Sequence, residues 1–145
     1  PMKNGFLYLT AIIDVYSRYI VGWGISNTLD ADASLSVLKQ AMDDHGKPEI
    51  VNSDQGSQFT CEQWGEYLKG RGIRISMDGK GRAVDNIFVE RFFRSLKYDY
   101  VYLHPANDGL ELYQGVKEYI QYYNHTRHHQ GIGRQIPANL YKTVA

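Results

Sequence analysis

The sequence lacks the features that mark a secreted or a membrane-spanning chain. Its 145 residues include a single cysteine, Cys61, so no disulfide can form within the chain. No apolar run approaches the roughly 20 residues that a membrane helix needs, and no charged-then-apolar signal segment opens the sequence. We therefore expect a soluble domain of the cytoplasm with no membrane partner.

A net charge of one sign is also missing, because 16 Lys and Arg residues balance 16 Asp and Glu residues. Dedicated DNA-binding modules are usually strongly basic, so only individual sites could indicate a nucleic-acid partner here. The apolar fraction of 43% and the charged fraction of 22% argue against a disordered chain or a fibre. No repeat or linker divides the sequence, which predicts one domain over residues 1–145.

What the sequence does contain is an alternation of short strands and helices. Apolar stretches rich in β-forming residues predict strands, and the first two of these form an antiparallel hairpin. Helical spacing of apolar residues predicts the helices between them. The predicted strands span residues 6–13, 19–26, 50–53 and 73–77. The predicted helices begin at Asp30 or Asp32, at Thr60, near residue 85 and near residue 110, and they end near residues 44, 70, 98 and 124.

This order of elements predicts an α/β fold with a mixed sheet. A capping box made by Thr60 and Gln63 is expected to start the second helix. The segment 78–83 contains two glycines and two cations but no large apolar side chain, and we expect it to be a mobile loop. Residues 131–145 are interpreted as a tail.

Two acidic residues, Asp54 and Glu90, lie where an α/β protein can place catalytic groups. Asp54 directly follows a predicted strand, and the carboxyl ends of strands are where such folds bind ligands. Glu90 lies on a polar face of the helix predicted from about residue 85, and thirty-five residues separate the two acids. Taken alone, these positions are more typical of a turn-capping Asp and a surface ion pair.

The local sequences around these acids change that interpretation. Four segments occur in order: residues 14–23, which begin DVYSR and end VGW; 52–59 (NSDQGSQF); 78–97 (DGKGRAVDNIFVERFFRSLK); and 123–137 (YNHTRHHQGIGRQIP). Together they resemble the insertion-sequence transposases that share the catalytic core of retroviral integrases. The resemblance covers nearly the whole chain.

The resemblance implies a ribonuclease H-like fold, a mixed sheet flanked by helices, with a triad of two aspartates and a glutamate. Asp54 matches the second aspartate and Glu90 matches the glutamate, which makes both candidate catalytic and metal-binding residues. It also implies two Mg²⁺ or Mn²⁺ ions in the complete site, and hard cations do prefer carboxylate oxygens. The implied activity is metal-dependent cleavage of transposon ends and strand transfer into target DNA, carried out by several copies of the chain.

One feature departs from the family pattern. The family's first aspartate lies on a strand that precedes the hairpin, whereas this sequence opens at Pro1, close to the turn that follows that strand. We expect the sequence to begin just downstream of the first catalytic carboxylate, so that the first, central strand is missing. Asp14 is the alternative third metal ligand, and its other interpretation is a turn cap that accepts N–H groups near Ser17 and Arg18.

Cationic and amide side chains near Glu90 are candidates for contact with DNA. Arg94 and Lys97 share its helix face, which the resemblance places against the DNA end, although Glu90 and Arg94 could instead form an ordinary surface pair. Asn86, one turn earlier, either orients the Glu90 carboxylate or caps the helix. The candidate DNA-binding residues are Arg94, Lys97, Asn86, Lys80 and Arg82.

Other features support weaker hypotheses. His125, His128 and His129 could suggest zinc, but no cysteine pair accompanies them and a structural or phosphate-facing role is more typical. Cys61 has no evident base partner and is expected to be inert. Two alternative functions stay open: a ribonuclease H-like nuclease, which the segment 123–137 argues against, and a catalytically incomplete domain that only binds DNA or a partner subunit.

Overall fold

The computed structural model describes residues 7–77 and 86–144, with side chains as far as residue 142. Within these residues the strands are β1 (Tyr8–Ile13), β2 (Ile20–Ser26), β3 (Ile50–Ser53) and β4 (Arg74–Met77). The α-helices are α1 (Ala31–His45), α2 (Ser57–Thr60), α3 (Glu62–Gly70), α4 (Ile87–Leu96), α5 (Gly109–His125) and α6 (Pro137–Val144). A π-helical turn at Lys97–Val101 follows α4, and a 3₁₀ turn at Gln130–Ile132 follows α5.

The strands form one antiparallel and one parallel pair, as a mixed α/β fold requires. β1 and β2 make the predicted hairpin, in which Tyr8 faces Ser26. β3 and β4 are parallel, with their last pair at Ser53 and Met77. Among the described residues no strand hydrogen-bonds to both pairs, so the sheet consists of two separate halves there. Residues 7–77 and 86–144 contain no strand beyond these four.

The hairpin lies between two layers of helices, and its two faces differ in side-chain size. On one face, a Cβ at Gly22 would lie 2.9 Å from the Ala41 Cβ, and one at Gly24 would lie 2.7 Å from the Val37 Cγ2. α1 can therefore approach β2 closely only because both positions are glycine. The opposite face presents Trp23, which packs against α5.

Two apolar clusters make up the core. The larger cluster joins the hairpin to α4 and α5, and Phe92 at its centre is fully buried. The smaller cluster joins α1, α3 and the β3–β4 pair, with Leu68 fully buried. Both clusters follow from apolar stripes along the helices. α4 thereby has a buried face fixed to the core and an opposite face left in solvent.

Several local predictions are confirmed and two are wrong. Asp30 caps α1, because its Oδ1 accepts the Ala33 N–H at 3.0 Å. The capping box at Thr60 is wrong, since Thr60 ends α2 and the side chain of Gln63 instead donates to Asp32.

The helix predicted from about residue 85 to residue 98 is confirmed, because α4 ends at Leu96 and the π-helical turn continues directly from it. The predicted tail is wrong, because its second half forms α6. Proline fits the start of α6, since the first residue of a helix needs no N–H partner. In the described residues no helix has both the length and the apolar composition needed to cross a membrane.

Candidate active site

Asp54 lies directly beyond β3, at the edge where the parallel pair β3–β4 presents its carboxyl ends. Its side chain is exposed, and Oδ1 accepts the Gly56 N–H at 2.8 Å. This hydrogen bond engages Oδ1 and leaves the second carboxylate oxygen available to a ligand. The turn therefore fixes the direction of the carboxylate without neutralising its charge.

Gly56 and Gln58 complete this turn, and neither was predicted as a site residue. A Cβ at Gly56 would lie 2.9 Å from Asp54 Oδ1 and 2.7 Å from Gln58 Oε1, so no other residue fits without displacing them. Within the described part of the chain, Gln58 Oε1 and the neighbouring Ser53 Oγ are buried without a hydrogen-bond partner. The turn thus brings oxygen atoms close to Asp54.

Glu90 lies on the exposed face of α4, opposite the buried Phe92. Its N–H donates to the Asn86 carbonyl at 3.2 Å, within the first turn of the helix. Asn86 occupies the N-cap position and is 8% exposed, but its side chain makes no capping hydrogen bond. Of the two predicted roles for Asn86, side-chain capping is therefore not observed.

Of the four predicted DNA-binding cations, two are exposed in or just after α4 and two lie outside the described residues. Arg94 and Lys97 are both exposed, and the guanidinium carbon of Arg94 lies 6.0 Å from the Tyr98 ring centroid rather than pairing with Glu90. Lys97 begins the π-helical turn, so it no longer follows the regular helical face of Glu90. Lys80 and Arg82, together with the loop predicted at residues 78–83, lie outside the described residues.

Asp14 caps the hairpin turn. One carboxylate oxygen accepts both the Ser17 N–H at 2.9 Å and the Ser17 hydroxyl at 2.5 Å. Arg18 closes the same turn in a left-handed conformation, with φ of 65°. This geometry corresponds to the turn-cap interpretation, while the role of Asp14 as a metal ligand stays a prediction.

The carboxylates are of the chemical type that binds divalent cations, but only two of them are predicted ligands with a strong motif match. Asp54 and Glu90 offer hard oxygen donors of the type that Mg²⁺ prefers. Within residues 7–77 and 86–144, however, no group of three or more His, Cys, Asp or Glu side chains could hold a metal ion.

The histidines near the end of α5 have structural partners. His128 Nδ1 lies 2.8 Å from the Arg134 carbonyl, which can only accept, so that nitrogen carries the proton. His129 is buried between α5 and the 3₁₀ turn, where its Nε2 lies 3.0 Å from the Tyr123 carbonyl. These contacts support the structural interpretation over a zinc site. Cys61 is half-buried and its Sγ donates to the Gln58 carbonyl at 3.5 Å.

Asn124 is a further residue of this segment that no sequence pattern assigned. Its Oδ1 accepts the Ile20 N–H at 2.8 Å, and its Nδ2 donates to the Ile20 carbonyl at 3.1 Å. The amide thus completes both backbone hydrogen bonds at the start of β2. Because 104 residues separate the pair, only the folded chain shows what this asparagine does.

Comparison with known proteins identifies close sequence relatives. The family profile described as integrase core domain matches residues 1–83, and a second profile of the same description matches residues 71–137. The transposase for insertion sequence element IS904 of Lactococcus lactis subsp. lactis (strain IL1403) is 36% identical over 145 residues, covering 98% of this chain and 57% of the relative. Transposase InsF for insertion sequence IS3A of Escherichia coli (strain K12) is 33% identical over 137 residues, covering 92% of this chain and 48% of the relative. The chain therefore spans about half the length of these curated relatives.

Two solved structures with a similar fold are integrase catalytic cores. The catalytic core domain of HTLV-2 integrase in complex with magnesium, in its dimeric form, has a TM-score of 0.75 and 18% identity, covering 97% of this chain and 88% of that one. The catalytic core domain of BIV integrase has a TM-score of 0.73 and 18% identity, covering 94% of this chain and 86% of that one. These matches confirm the ribonuclease H-like fold that the sequence predicted.

Proposed function

The chain belongs to the integrase core domain family, and we propose that it is the catalytic core of a DNA transposase. In this proposal it cleaves transposon ends and transfers the resulting strand into target DNA. The observation that carries the proposal is the placement of Asp54 at the carboxyl end of β3 and of Glu90 on the exposed face of α4. The transposase names of its relatives, matched over 98% and 92% of the chain, support it.

Asp54 and Glu90 are proposed as ligands for two Mg²⁺ or Mn²⁺ ions. Bound divalent ions would activate an attacking oxygen and stabilise the leaving oxygen of an in-line phosphoryl transfer. The protein contributes by holding the carboxylates in place: the Gly56 N–H fixes Asp54, and the core contacts of α4 fix Glu90. The HTLV-2 integrase core, which was solved with magnesium, supports this assignment.

The proposed partners are transposon-end DNA, target DNA and further copies of the chain. Arg94 and Lys97 would contact the phosphate backbone near the carboxylates, and Asn86 would orient Glu90 from the first turn of α4. The dimeric and trimeric forms of the HTLV-2 integrase core support an assembly of several copies. Because the curated relatives are bacterial transposases, we propose the cytoplasm as the place of action.

A strand-transfer assay on the complete transposase tests the proposal. Glu90→Gln keeps the side-chain shape and removes the charge, so it should reduce end cleavage and strand transfer in Mg²⁺ to below about a hundredth, a larger reduction than residues that only orient a metal ligand usually cause. Folding and DNA binding should persist. Glu118→Gln, on the exposed side of α5, is the matched control and should leave activity unchanged.

The alternatives give different results in the same assay. A ribonuclease H-like nuclease would hydrolyse the strand without joining it to target DNA. A domain that only binds DNA would show no metal-dependent cleavage in the unaltered protein. Activity of Glu90→Gln equal to that of the control would show that Glu90 is not a metal ligand.

A further inference from the structure

Three arginines from distant parts of the chain converge around Tyr123. Arg18 lies in the hairpin turn, Arg91 on α4 and Arg127 just beyond α5. The guanidinium carbon of Arg18 lies 3.7 Å from the Phe88 ring centroid, and that of Arg127 lies 5.8 Å from the Tyr123 ring centroid. All three positive charges also act on the Tyr123 hydroxyl, so the folded chain brings them into one region.

His129 holds Arg127 in this cluster. Arg127 Nη1 lies 3.0 Å from His129 Nδ1, and a guanidinium can only donate, so Nδ1 is the acceptor and the ring proton is on Nε2. Nε2–H then donates to the Tyr123 carbonyl at 3.0 Å. Burial lowers the pKa of His129, and Arg127 and Arg18 lower it further, which favours this neutral form. A buried neutral histidine therefore positions the guanidinium.

Arg91 approaches the same region from α4. Its Nη1 lies 4.0 Å from the position that a Cβ would take on Gly131, so the guanidinium lies beside the 3₁₀ turn at Gln130–Ile132. Arg91 is also exposed, which leaves its donors accessible to a ligand. Arg91 therefore forms the solvent side of the cluster.

The hydroxyl of Tyr123 is a neutral donor among these charges. Burial raises its pKa to about 12, even though Arg127, Arg18 and Arg91 all favour the ionised form. The side chain therefore stays protonated at neutral pH. The buried hydroxyl therefore brings no negative charge to the three guanidinium groups.

Within the described residues, none of the three guanidinium groups is hydrogen-bonded to a carboxylate. Asp14 is the acid whose charge acts on Arg18, and its carboxylate is hydrogen-bonded to Ser17. Burial lowers the pKa of Arg18, and the neighbouring charge of Arg91 lowers it further, as expected when like charges are held together. In the part of the chain that the structure describes, no ion pair with a carboxylate compensates these three charges. An external anion would compensate these three charges.

We propose that Arg18, Arg91 and Arg127 form a binding site for a phosphate of the DNA backbone, separate from the carboxylate site. Guanidinium groups match phosphate oxygens with paired N–H donors, and backbone phosphates position a duplex without reading its sequence. Glu90 and Arg91 are consecutive on α4, so their side chains leave the helix about 100° apart. The site would therefore hold DNA on one flank of α4 while Glu90 faces another. The choice of DNA as the source of the phosphate rests on the proposed function.

The salt dependence of duplex binding tests this site without any chemical step. Binding of a DNA duplex of arbitrary sequence is measured by fluorescence anisotropy at several salt concentrations and without divalent metal. Arg91→Gln should weaken binding and reduce the slope of log K against log salt by about 0.9, the value expected when one fewer phosphate is neutralised. Arg91→Lys should keep the slope because it keeps the charge.

Arg74→Gln is the matched control. Arg74 is also exposed but lies at the amino end of β4, opposite the end that carries Asp54. The control should bind like the unaltered protein. An equal loss in Arg74→Gln and Arg91→Gln would show a general effect of charge and overturn the proposal, as would an unchanged slope in Arg91→Gln.

Inorganic phosphate distinguishes the two sources of the anion. Thermal stability is compared in phosphate and in chloride at equal ionic strength. Stabilisation of the unaltered protein by phosphate, without measurable duplex binding, would overturn the assignment to DNA. The outcome of this test does not depend on the proposed function, because a protein without cleavage activity can still show the change in salt slope. Glu90→Gln should bind the duplex normally.

Discussion

The carboxylate site and the arginine cluster are built in opposite ways. Asp54 and Glu90 are exposed, and each is held mainly by the backbone of its own short segment. Arg18 and Arg127 are half-buried, and each contacts an aromatic ring of another element or of α5. The acids can therefore be changed without disturbing the core, whereas the arginines depend on how three segments pack.

This difference has a functional consequence. Exposed carboxylates with few internal partners are free to bind metal ions, because their negative charge is not compensated within the protein. Guanidinium groups fixed against rings lose little further freedom when they meet a phosphate, which favours a positioning role. The following variants separate the two sites, from the largest expected effect to the smallest.

Asp54→Asn should have the largest effect and should act on the carboxylate site alone. The amide oxygen can still accept the Gly56 N–H, so the turn should persist, while the removal of the charge should reduce strand transfer to below about a hundredth. Strand transfer and the circular dichroism spectrum are measured together. Asp44→Asn, on the exposed end of α1, serves as the control. Equal activities of the two variants would contradict the assignment of Asp54.

Asn124→Ala should destabilise the packing between α5 and β2, on which the arginine cluster depends. The change leaves the buried N–H and C=O of Ile20 without their partner, which should lower the free energy of unfolding by about 2–4 kcal/mol. Urea denaturation measures this, with the exposed Asn139→Ala as control. A decrease no larger than that of the control would show that the two hydrogen bonds contribute nothing net.

Arg94→Gln combined with Lys97→Gln should weaken DNA binding near the carboxylates. Phosphate contacts carry no base information, so binding to all sequences should fall alike and the salt slope should drop by about 0.9 for each phosphate that is no longer neutralised. Fluorescence anisotropy with transposon-end and unrelated duplexes provides the measurement. Weaker binding confined to the transposon-end sequence, with the slope unchanged, would indicate base readout instead.

The pH dependence of stability should show a smaller effect centred on His129. Its pKa lies below the ordinary 6.5 because of burial, so the unfolded chain takes up the proton first as pH falls. The free energy of unfolding should therefore decrease below about pH 6.5, by at most about 1.4 kcal/mol per pH unit for one proton. The groups that face the ring are Tyr123, Arg127, Arg18 and His128.

His129→Gln, whose amide can both donate and accept, should remove this contribution. Urea denaturation between pH 5 and pH 7.5 compares the two proteins. A parallel decrease in the variant and in the unaltered protein would assign the pH dependence to another group.

The sequence was sufficient to predict the four strands but not the arginine cluster, and the roles of Asp54 and Glu90 stay predictions. The four strands follow from local apolar patterns, and Asp54 and Glu90 lie in segments whose resemblance to transposases depends on local order. α6 lies within the segment that the sequence analysis interprets as a tail, although Pro137 suits the first turn of a helix. The partners of Asn124 and Arg18 lie on segments far away in the sequence, and no local pattern carries such information.

The most direct test of the central claim is a double-variant comparison of strand transfer. If Asp54 and Glu90 hold the same ions, removing either charge should abolish the same step, and the double variant Asp54→Asn with Glu90→Gln should be no less active than either single variant. The assay uses the complete transposase, Mg²⁺ and transposon-end DNA. Reductions that multiply in the double variant would show that the two carboxylates act independently, which would contradict a shared metal site.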